Sequence, residues 1–588
     1  MTLKVVTLNV GAGIQRDGTL LACPTYVDGR WVRFQYGRPR KMGGYRASFL
    51  NAADTSRGMI MSATDGINYI YSGTQYGLEQ WTTDNDDAVG SGPAAVTITS
   101  GFTASPNNLW QFDIGYDAYG NGKNNLIAHP GQNLLDITST VKTRPLFGDF
   151  TGTTVSPVGV FTATGTLISG SPTVTFATTI AAIGAGLTVT GTGIPANTKV
   201  LSATIVSNVW TVTLDKNATT GGSHVLTFDN NISISGGVVM LFPYLFVYGD
   251  NGLIQNCSAG DFNNWTSADS NSNNISSTKV VKGLPLRGGT TSPAGLFWTL
   301  DSLVRVTYAP QNVGNATLYW RYDLITQQSS IMSSQCVIEY DGIFYWIGTD
   351  RFLVYNGVVQ ELPNTQNTNF FFDNINIKYR QKVWVSKVPR WGEIWWFYPS
   401  GSSTECDNAI VYNVREKCWY DAGYALGARR SAGVFSEVFR RPIWAGWEQN
   451  VLTGYSLWTH EVGVNLQYLS RIEAIDSYFE TNILGSQGGL VNSYPIGENI
   501  WTRCERIEPD FKQVQTMYVT VTGKGYADDV DAPSDPYPFD PTTLKVDMRE
   551  QRREMRLRFS SNVTDGDYFM GHVLLSLDTG DVRGTGNP

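Results

Sequence analysis

The sequence predicts a mostly β protein organised around a β-propeller. Three observations predict it: a hairpin pattern that returns along the chain, turn spacing that suits a four-stranded blade, and a composition rich in glycine and aromatic residues. The pattern is an apolar strand, a tight turn, then a strand loaded with Tyr and Trp. It occurs as Asp65-Gly66-Ile67-Asn68-Tyr69-Ile70-Tyr71, as Asp341-Gly342-Ile343-Phe344-Tyr345-Trp346-Ile347 and as Trp391-Gly392-Glu393-Ile394-Trp395-Trp396-Phe397-Tyr398. Asp-Gly between alternating apolar residues marks a hairpin, because a type I′ turn needs positive φ at both central positions and Gly and Asp tolerate it best. Related turns fall near Asp301, Asp341, Trp391 and Pro442, a spacing of roughly 40 to 50 residues, which is the period of a blade, so about six blades are expected.

Composition narrows the class. At 588 residues the chain exceeds what one core can organise. It has 61 glycines, 12% aromatic residues and only 16% charged residues, which reads as many turns, bulky strands and few solvated helical faces. Low charge on a large protein also reads as surface covered by neighbours. The net charge of -8 argues against a protein that grips nucleic acid over its whole surface. Met1 to Val10 lacks a basic stretch followed by an apolar run, so no signal peptide is expected. The longest apolar stretch, Val238 to Tyr248, contains Pro243 and is too short to span a bilayer, so no stable membrane span is expected.

Five segments follow in chain order. Residues 1–50 lead with a basic and aromatic run that closes on Gly43-Gly44-Tyr45, read as the N-terminal part of a platform domain. Residues 51–150 hold the first hairpins of the propeller. Residues 151–230 turn Thr-, Gly-, Val- and Ala-rich and nearly free of Tyr, Trp and charge, as in Thr173-Val174-Thr175-Phe176. Short β-branched strands around a Gly193-Ile194-Pro195-Ala196-Asn197 turn suggest an inserted immunoglobulin-like β-sandwich of minimal size. Hairpins resume over 231–463, so the insertion interrupts the propeller. Within that run Asn369 to Val383 is the one helix expected, with Phe371, Ile375 and Tyr379 along one face. Residues 464–588 lose the blade period but keep alternation, as in Met517-Tyr518-Val519-Thr520-Val521 and Met555-Arg556-Leu557-Arg558-Phe559, and form a separate β unit.

A search for chemistry is mostly empty. The six cysteines are scattered, without CxxC or Cys/His spacing, and read as reduced, buried thiols. The four histidines, His129, His224, His460 and His572, make no zinc-binding pair. No Gly-x-Ser-x-Gly elbow occurs. Gly191-Thr192-Gly193-Ile194-Pro195-Ala196 fits a dinucleotide fingerprint on paper, yet Pro195 forbids the strand-to-helix turn that would present backbone N–H groups to a pyrophosphate. Asp269-Ser270-Asn271-Ser272-Asn273 mimics half a calcium loop, but Asn274 replaces the glycine and no Glu closes it. Carboxylate pairs gathered from distant blades stay open. The expectation is no catalytic residue, no cofactor, no metal and no enzyme.

Two basic clusters remain: Arg30, Trp31, Arg33, Arg38, Arg40 and Lys41, and then Arg549, Arg552, Arg553, Arg556 and Arg558. Interleaved aromatic and basic residues can stack on bases and neutralise phosphates. The plainer reading of the second cluster is a strand with one wet or subunit-facing side, since Glu550 and Glu554 sit among its arginines. Arg with Trp and Tyr is also the composition of interface anchors, and docking to an adaptor or a neighbouring subunit is the preferred functional reading of both.

Val27-Asp28-Gly29-Arg30-Trp31-Val32-Arg33-Phe34 with Arg38-Pro39-Arg40-Lys41-Met42-Gly43-Gly44-Tyr45 resembles the opening of short-tailed bacteriophage tail-hub proteins, known as tail nozzles, tail tubular proteins B or packaged-DNA stabilisation proteins. Phe297-Trp298-Thr299-Leu300-Asp301-Ser302-Leu303 and Ile343 to Asp350 resemble their blade strands. Arg549-Glu550-Gln551-Arg552-Arg553 through Ser561-Asn562 to Gly571-His572 resembles their closing β domain. The resemblance leaves out the 151–230 insertion. It implies a structural virion protein, assembled in the host cytoplasm, that forms a homohexameric ring below the portal and adaptor, the head-to-tail connector. Such a ring extends the DNA channel, retains the packaged genome and passes double-stranded DNA at ejection without reading sequence. Tail fibres or tailspikes are its other implied partners. It also implies that the two chain ends form one platform, which would bring both basic clusters together.

Two other classes compete. A propeller with an immunoglobulin-like module is also the layout of secreted glycan-binding or glycan-active proteins. A tail fibre or receptor-binding protein would share the virion and differ in symmetry.

Overall fold

The computed structural model describes residues 4–49, 51–83, 90–99, 101–106, 108–131, 141–286, 292–314, 316–435, 440–448, 455–484, 490–491, 501–525 and 529–579. Strands dominate, and among the described residues the propeller has seven four-stranded blades rather than about six. Their innermost strands are Met59–Thr64, Leu109–Asp117, Gly237–Leu241, Val280–Leu286, Ile338–Tyr340, Trp384–Val388 and Arg430–Val434. The last packs back against the first and closes the ring. The repeat spacing undercounts because the fifth blade is compressed into residues 338–361 and the seventh borrows a strand from far away.

The hairpin signal reads through to backbone geometry. Asp65 and Gly66 have φ of 53° and 78°, and Asp341 and Gly342 have 52° and 82°. Each pair joins two antiparallel strands directly, Met59–Thr64 to Ile67–Gly73 and Ile338–Tyr340 to Ile343–Ile347. These are the two positive-φ positions a type I′ turn requires. The aromatic residues of the pattern fill the seams between blades. Trp298 lies edge-on to Trp346 at 5.7 Å between blades four and five, and Trp384, Phe397 and Trp444 pack together between blades six and seven.

Tyr45–Ala47 closes the seventh blade by pairing antiparallel with Leu457–His460, so residues assigned by sequence to the platform belong to the propeller. A ring of blades has one seam where chain start and end must meet, and a strand from the other end satisfies the backbone groups an open edge would leave bare. Asn465–Tyr468 then pairs parallel on the far side of Tyr45–Ala47. The expected helix is shorter than 369–383: Thr368–Asn374 is helical, then Ile375 turns extended and bridges Ser400, and a 3-10 turn follows over Ile377–Lys382. Pairing of Ile375 with the neighbouring blade wins over continuing a weak helix. Phe371 is fully buried, as its place on the apolar face predicts.

The insertion spans Val160–Leu167 to Gly222–Asp229 as a small all-β module. Its six strands are hydrogen-bonded into a closed barrel instead of two separate sheets, because Val160–Leu167 pairs with both Thr173–Phe176 and Gly222–Asp229. Closure removes the exposed edges that six short strands would otherwise carry. Leu167, Val174, Val189, Val212, Leu226 and Phe228 fill it.

The two chain ends are interleaved. One sheet runs in the order Asp28–Arg30, Ser477–Glu480, Val546–Ser561, Thr502–Glu508, Leu574–Thr579, Lys4–Leu8 and Leu490–Val491. A second runs Phe511–Val514, Asp567–Met570, Arg38–Lys41 and Val32–Gln35. Phe479, Phe559, Phe511 and Tyr568 pack between them.

Side chains bridge one end of the propeller axis. Gln335, which leads into blade five, donates to the carbonyls of Arg57 and Trp110 on the opposite side of the ring, at 2.7 and 2.8 Å. Beside it the Glu405 carboxylate holds Arg57 through two hydrogen bonds of 2.7 Å and also binds Lys382.

Candidate functional site

The basic and aromatic run from Arg30 to Lys41 lies where the interleaved chain ends meet blades six and seven. Trp31 adopts a positive φ of 51° and is buried, with its indole N–H on the Gly43 carbonyl at 3.0 Å and its ring against Tyr45 and Trp395. A β-carbon at Gly427 would lie 2.2 Å from that ring, so the slot for Trp31 exists only because residue 427 has no side chain. Arg33 is buried between two carboxylates. Its Nε is 3.0 Å from Glu393, and its terminal nitrogens reach Glu461 at 2.6 and 2.8 Å.

The two carboxylates of this group differ. Burial and the neighbouring Glu461 charge push the Glu393 carboxyl up, against Arg33 and hydrogen bonds from Tyr420 and Trp395. Burial also opposes ionisation of Glu461, but the charge and hydrogen bonds of Arg33, with the Trp391 N–H, outweigh it and hold this carboxyl below its usual range. Glu461 is therefore the charged partner and Glu393 the easier one to protonate.

Other cations of the run are joints too. Arg30 donates to the Gly423 carbonyl at 2.9 Å and pairs with Asp476 at 3.0 Å. Lys41 is buried with its amine on the Gly566 carbonyl at 2.7 Å, and burial lowers its pKa to about 8. Arg16, outside both predicted clusters, ties Asp28 to Asp421 of blade six.

The second cluster lies on Val546–Ser561, one strand away from Asp28–Arg30 in the same sheet. Arg556 is buried against Glu480 and Asp531, each at 2.7 Å. Arg558 covers the Tyr478 ring at 3.5 Å, and Arg552 pairs with Glu550 at 3.0 Å. Arg553 is half-buried and Arg549 is exposed. Trp31, Arg33, Lys41 and Arg556 are thus spent inside the chain and present no surface to a partner of this subunit. Arg38 and Arg40 instead point to the outer side of the smaller sheet. Sequence reasoning missed the acidic partners Glu393, Glu461, Glu480 and Asp421, since each lies far along the chain from its arginine, Glu480 76 residues away and the others hundreds, and no local pattern marks them.

The remaining candidates resolve as structure. The segment from Asp269 caps a turn, accepting from Ser258 and the Ala259 N–H, before the edge strand Asn271–Asn274. The six cysteines are free and buried. Among the described residues no group of His, Cys, Asp and Glu is arranged to hold a metal ion, and no helix is long and apolar enough to cross a membrane.

No family model and no curated protein matches the sequence. Among solved structures the chain is similar to an exo-beta-1,3-galactanase from Phanerochaete chrysosporium with galactose, at 9% identity over 91% of this chain and 100% of that chain, TM-score 0.24. It is similar also to an ancestral GH74 enzyme, at 8% identity over 76% and 78%, TM-score 0.24, and to a glycoside hydrolase, at 10% over 88% and 98%, TM-score 0.22. All three are enzymes, and they correct the flat expectation that this chain is not one. A propeller can gather reacting carboxylates from separate blades, which a search for contiguous motifs does not see.

Proposed function

We propose that the chain is the subunit of a phage tail nozzle, a ring that extends a DNA channel, retains the genome and passes it on. The observation that carries this reading is the junction of the chain ends. The two segments whose motifs resemble the family are woven into one sheet and clamped to the propeller by Arg33 and Arg16, which makes a rigid platform suited to an adaptor. With Gln335 bridging the propeller's own axis, the channel in this reading lies between subunits. A ring of six would multiply the net charge of -8, and an acidic wall lets DNA slide. Electron microscopy and native mass measurement of the full chain test it: a six-fold ring with a central channel is expected, and a stable monomer at high concentration overturns it.

A second reading follows the neighbours and makes the chain a glycan-active propeller. Release of reducing sugar from a β-1,3-galactan by the purified chain, abolished by changing acidic residues facing the propeller axis, would favour it.

A further inference from the structure

The outer side of the smaller platform sheet carries a row of side chains set by register. Lys512 is opposite Phe569, Phe569 is opposite Arg40, and Arg40 is opposite Arg33. Directly paired residues share a face, so these four stand in line across four strands. The inner side is the core, where Phe34, Tyr568 and Met570 are buried. Over the Arg33 end lies Trp391, with the guanidinium carbons of Arg33 and Arg40 each 4.7 Å from its ring centroid and that of Arg390 at 5.0 Å. Arg40 also lies 5.9 Å from Phe569.

Arg33 is consumed by Glu393 and Glu461, but its neighbours are not. Arg38, Arg40, Arg390 and Lys512 make no ion pair among the described residues. Arg38 donates to the Gly571 carbonyl and meets His572, Arg40 donates to Gln35, and Arg390 and Lys512 are exposed. The nearby carboxylates are held by backbone N–H groups and form no ion pair with these four cations: Glu416 accepts from the Tyr36 and Gly37 N–H groups, Asp510 from the His572 N–H and Asp567 from the Tyr568 N–H. The face therefore presents cations without an ion-pair partner among the described residues, beside partly exposed aromatic rings and Val514, which is 51% exposed.

We propose that this face is a docking surface for a short acidic polypeptide segment that carries an apolar or aromatic residue. The carboxylates meet the guanidinium forks of Arg40 and Arg390 and the Lys512 ammonium, and the apolar residue lies against Phe569 and Val514. With Arg33 buried, the three strands that carry Lys512, Phe569 and Arg40, about 4.8 Å apart, make the accessible row about 10 Å long, the span of an extended stretch of about three residues. Charge favours a peptide over nucleic acid. A polyanion longer than the patch would meet a chain whose net charge is -8, whereas a short acidic segment ends where the basic face ends. The inference does not depend on the ring reading.

The test uses the full chain and a fluorescein-labelled decapeptide of Asp and Glu with a central Phe-Leu pair, followed by anisotropy at 50 and 150 mM salt. Saturable binding is expected, weakened at least tenfold by Arg40→Glu and by the double change Arg390→Glu with Lys512→Glu, and unchanged by Arg351→Glu on blade five. Arg390 and Lys512 are exposed, so that double variant keeps the test valid if Arg40→Glu fails to fold by thermal melting. No binding at 50 mM salt, or binding indifferent to the double variant, overturns the proposal. Competition by a twenty-nucleotide single strand at lower concentration than the unlabelled peptide overturns it in favour of nucleic acid.

Discussion

Arg33 places its guanidinium 3.0 Å from the Glu393 carboxylate, and both side chains are almost completely shielded from solvent. One comes from the leading segment and the other from the sixth blade, so the contact fastens the platform to the propeller. Taking these charges out of water is offset only because Glu461, Tyr420 and Trp395 complete the network.

Replacing Arg33 by Met leaves two buried carboxylates without their cation. Loss of about 3 to 5 kcal/mol is expected from urea unfolding. Glu393→Gln, which keeps hydrogen-bonding capacity at the easier carboxyl to neutralise, should cost clearly less. A larger loss in Glu393→Gln than in Arg33→Met would contradict the assignment of charge.

The borrowed strand gives a second prediction. Arg46 pairs with Thr459 on one side and Gln467 on the other. Arg46→Pro removes a ladder donor between two partners and should lower stability by at least about 2 kcal/mol. Hydrogen exchange should show blade seven opening first.

Two glycines separate backbone strain from crowding. Gly342 sits at φ 82° with open space around its missing β-carbon, so Gly342→Ala should cost about 1 kcal/mol through conformation alone. Gly427→Ala drives a methyl into Trp31 and should cost about 1 to 3 kcal/mol through overpacking. Only the second should change Trp fluorescence.

Acid should weaken the propeller through His129. Burial drops its pKa to about 4 from an ordinary 6.5, with Nε2 held by Thr143 at 2.8 Å. The unfolded chain therefore takes up a proton that the folded one refuses. The stability is complete above pH 6.5 and is lost as pH falls toward 4, by about 3 kcal/mol at the lower end. His460, buried and facing Arg430, is likewise held well below the ordinary imidazole value and adds to the loss of stability in acid. Thermal melts of His129→Gln should show a shallower slope between pH 6.5 and 4 than the parent.

Local order is written locally. Asp65-Gly66 and Asp341-Gly342 determine their turns because positive φ at two successive positions is a property of the residues themselves. Alternation in Met517 to Val521 determines which face of that strand is buried, and the Thr- and Gly-rich tract announces a separate module; over Met555 to Phe559 the same alternation fails, because Arg556 is buried on Glu480 and Asp531. What only tertiary structure decided is where ends and charges meet. Tyr45–Ala47 entered the seventh blade because a closed ring must satisfy the backbone of its last edge, and no local pattern names the strand that does so. The same holds for the basic residues. By composition Arg33 and Arg40 are alike, yet Arg33 is buried on Glu393 and Glu461 while Arg40 keeps its charge unpaired on the outer face. Chain sequence supplies the guanidinium, and only the fold brings carboxylates from the sixth and seventh blades to one of them and not the other.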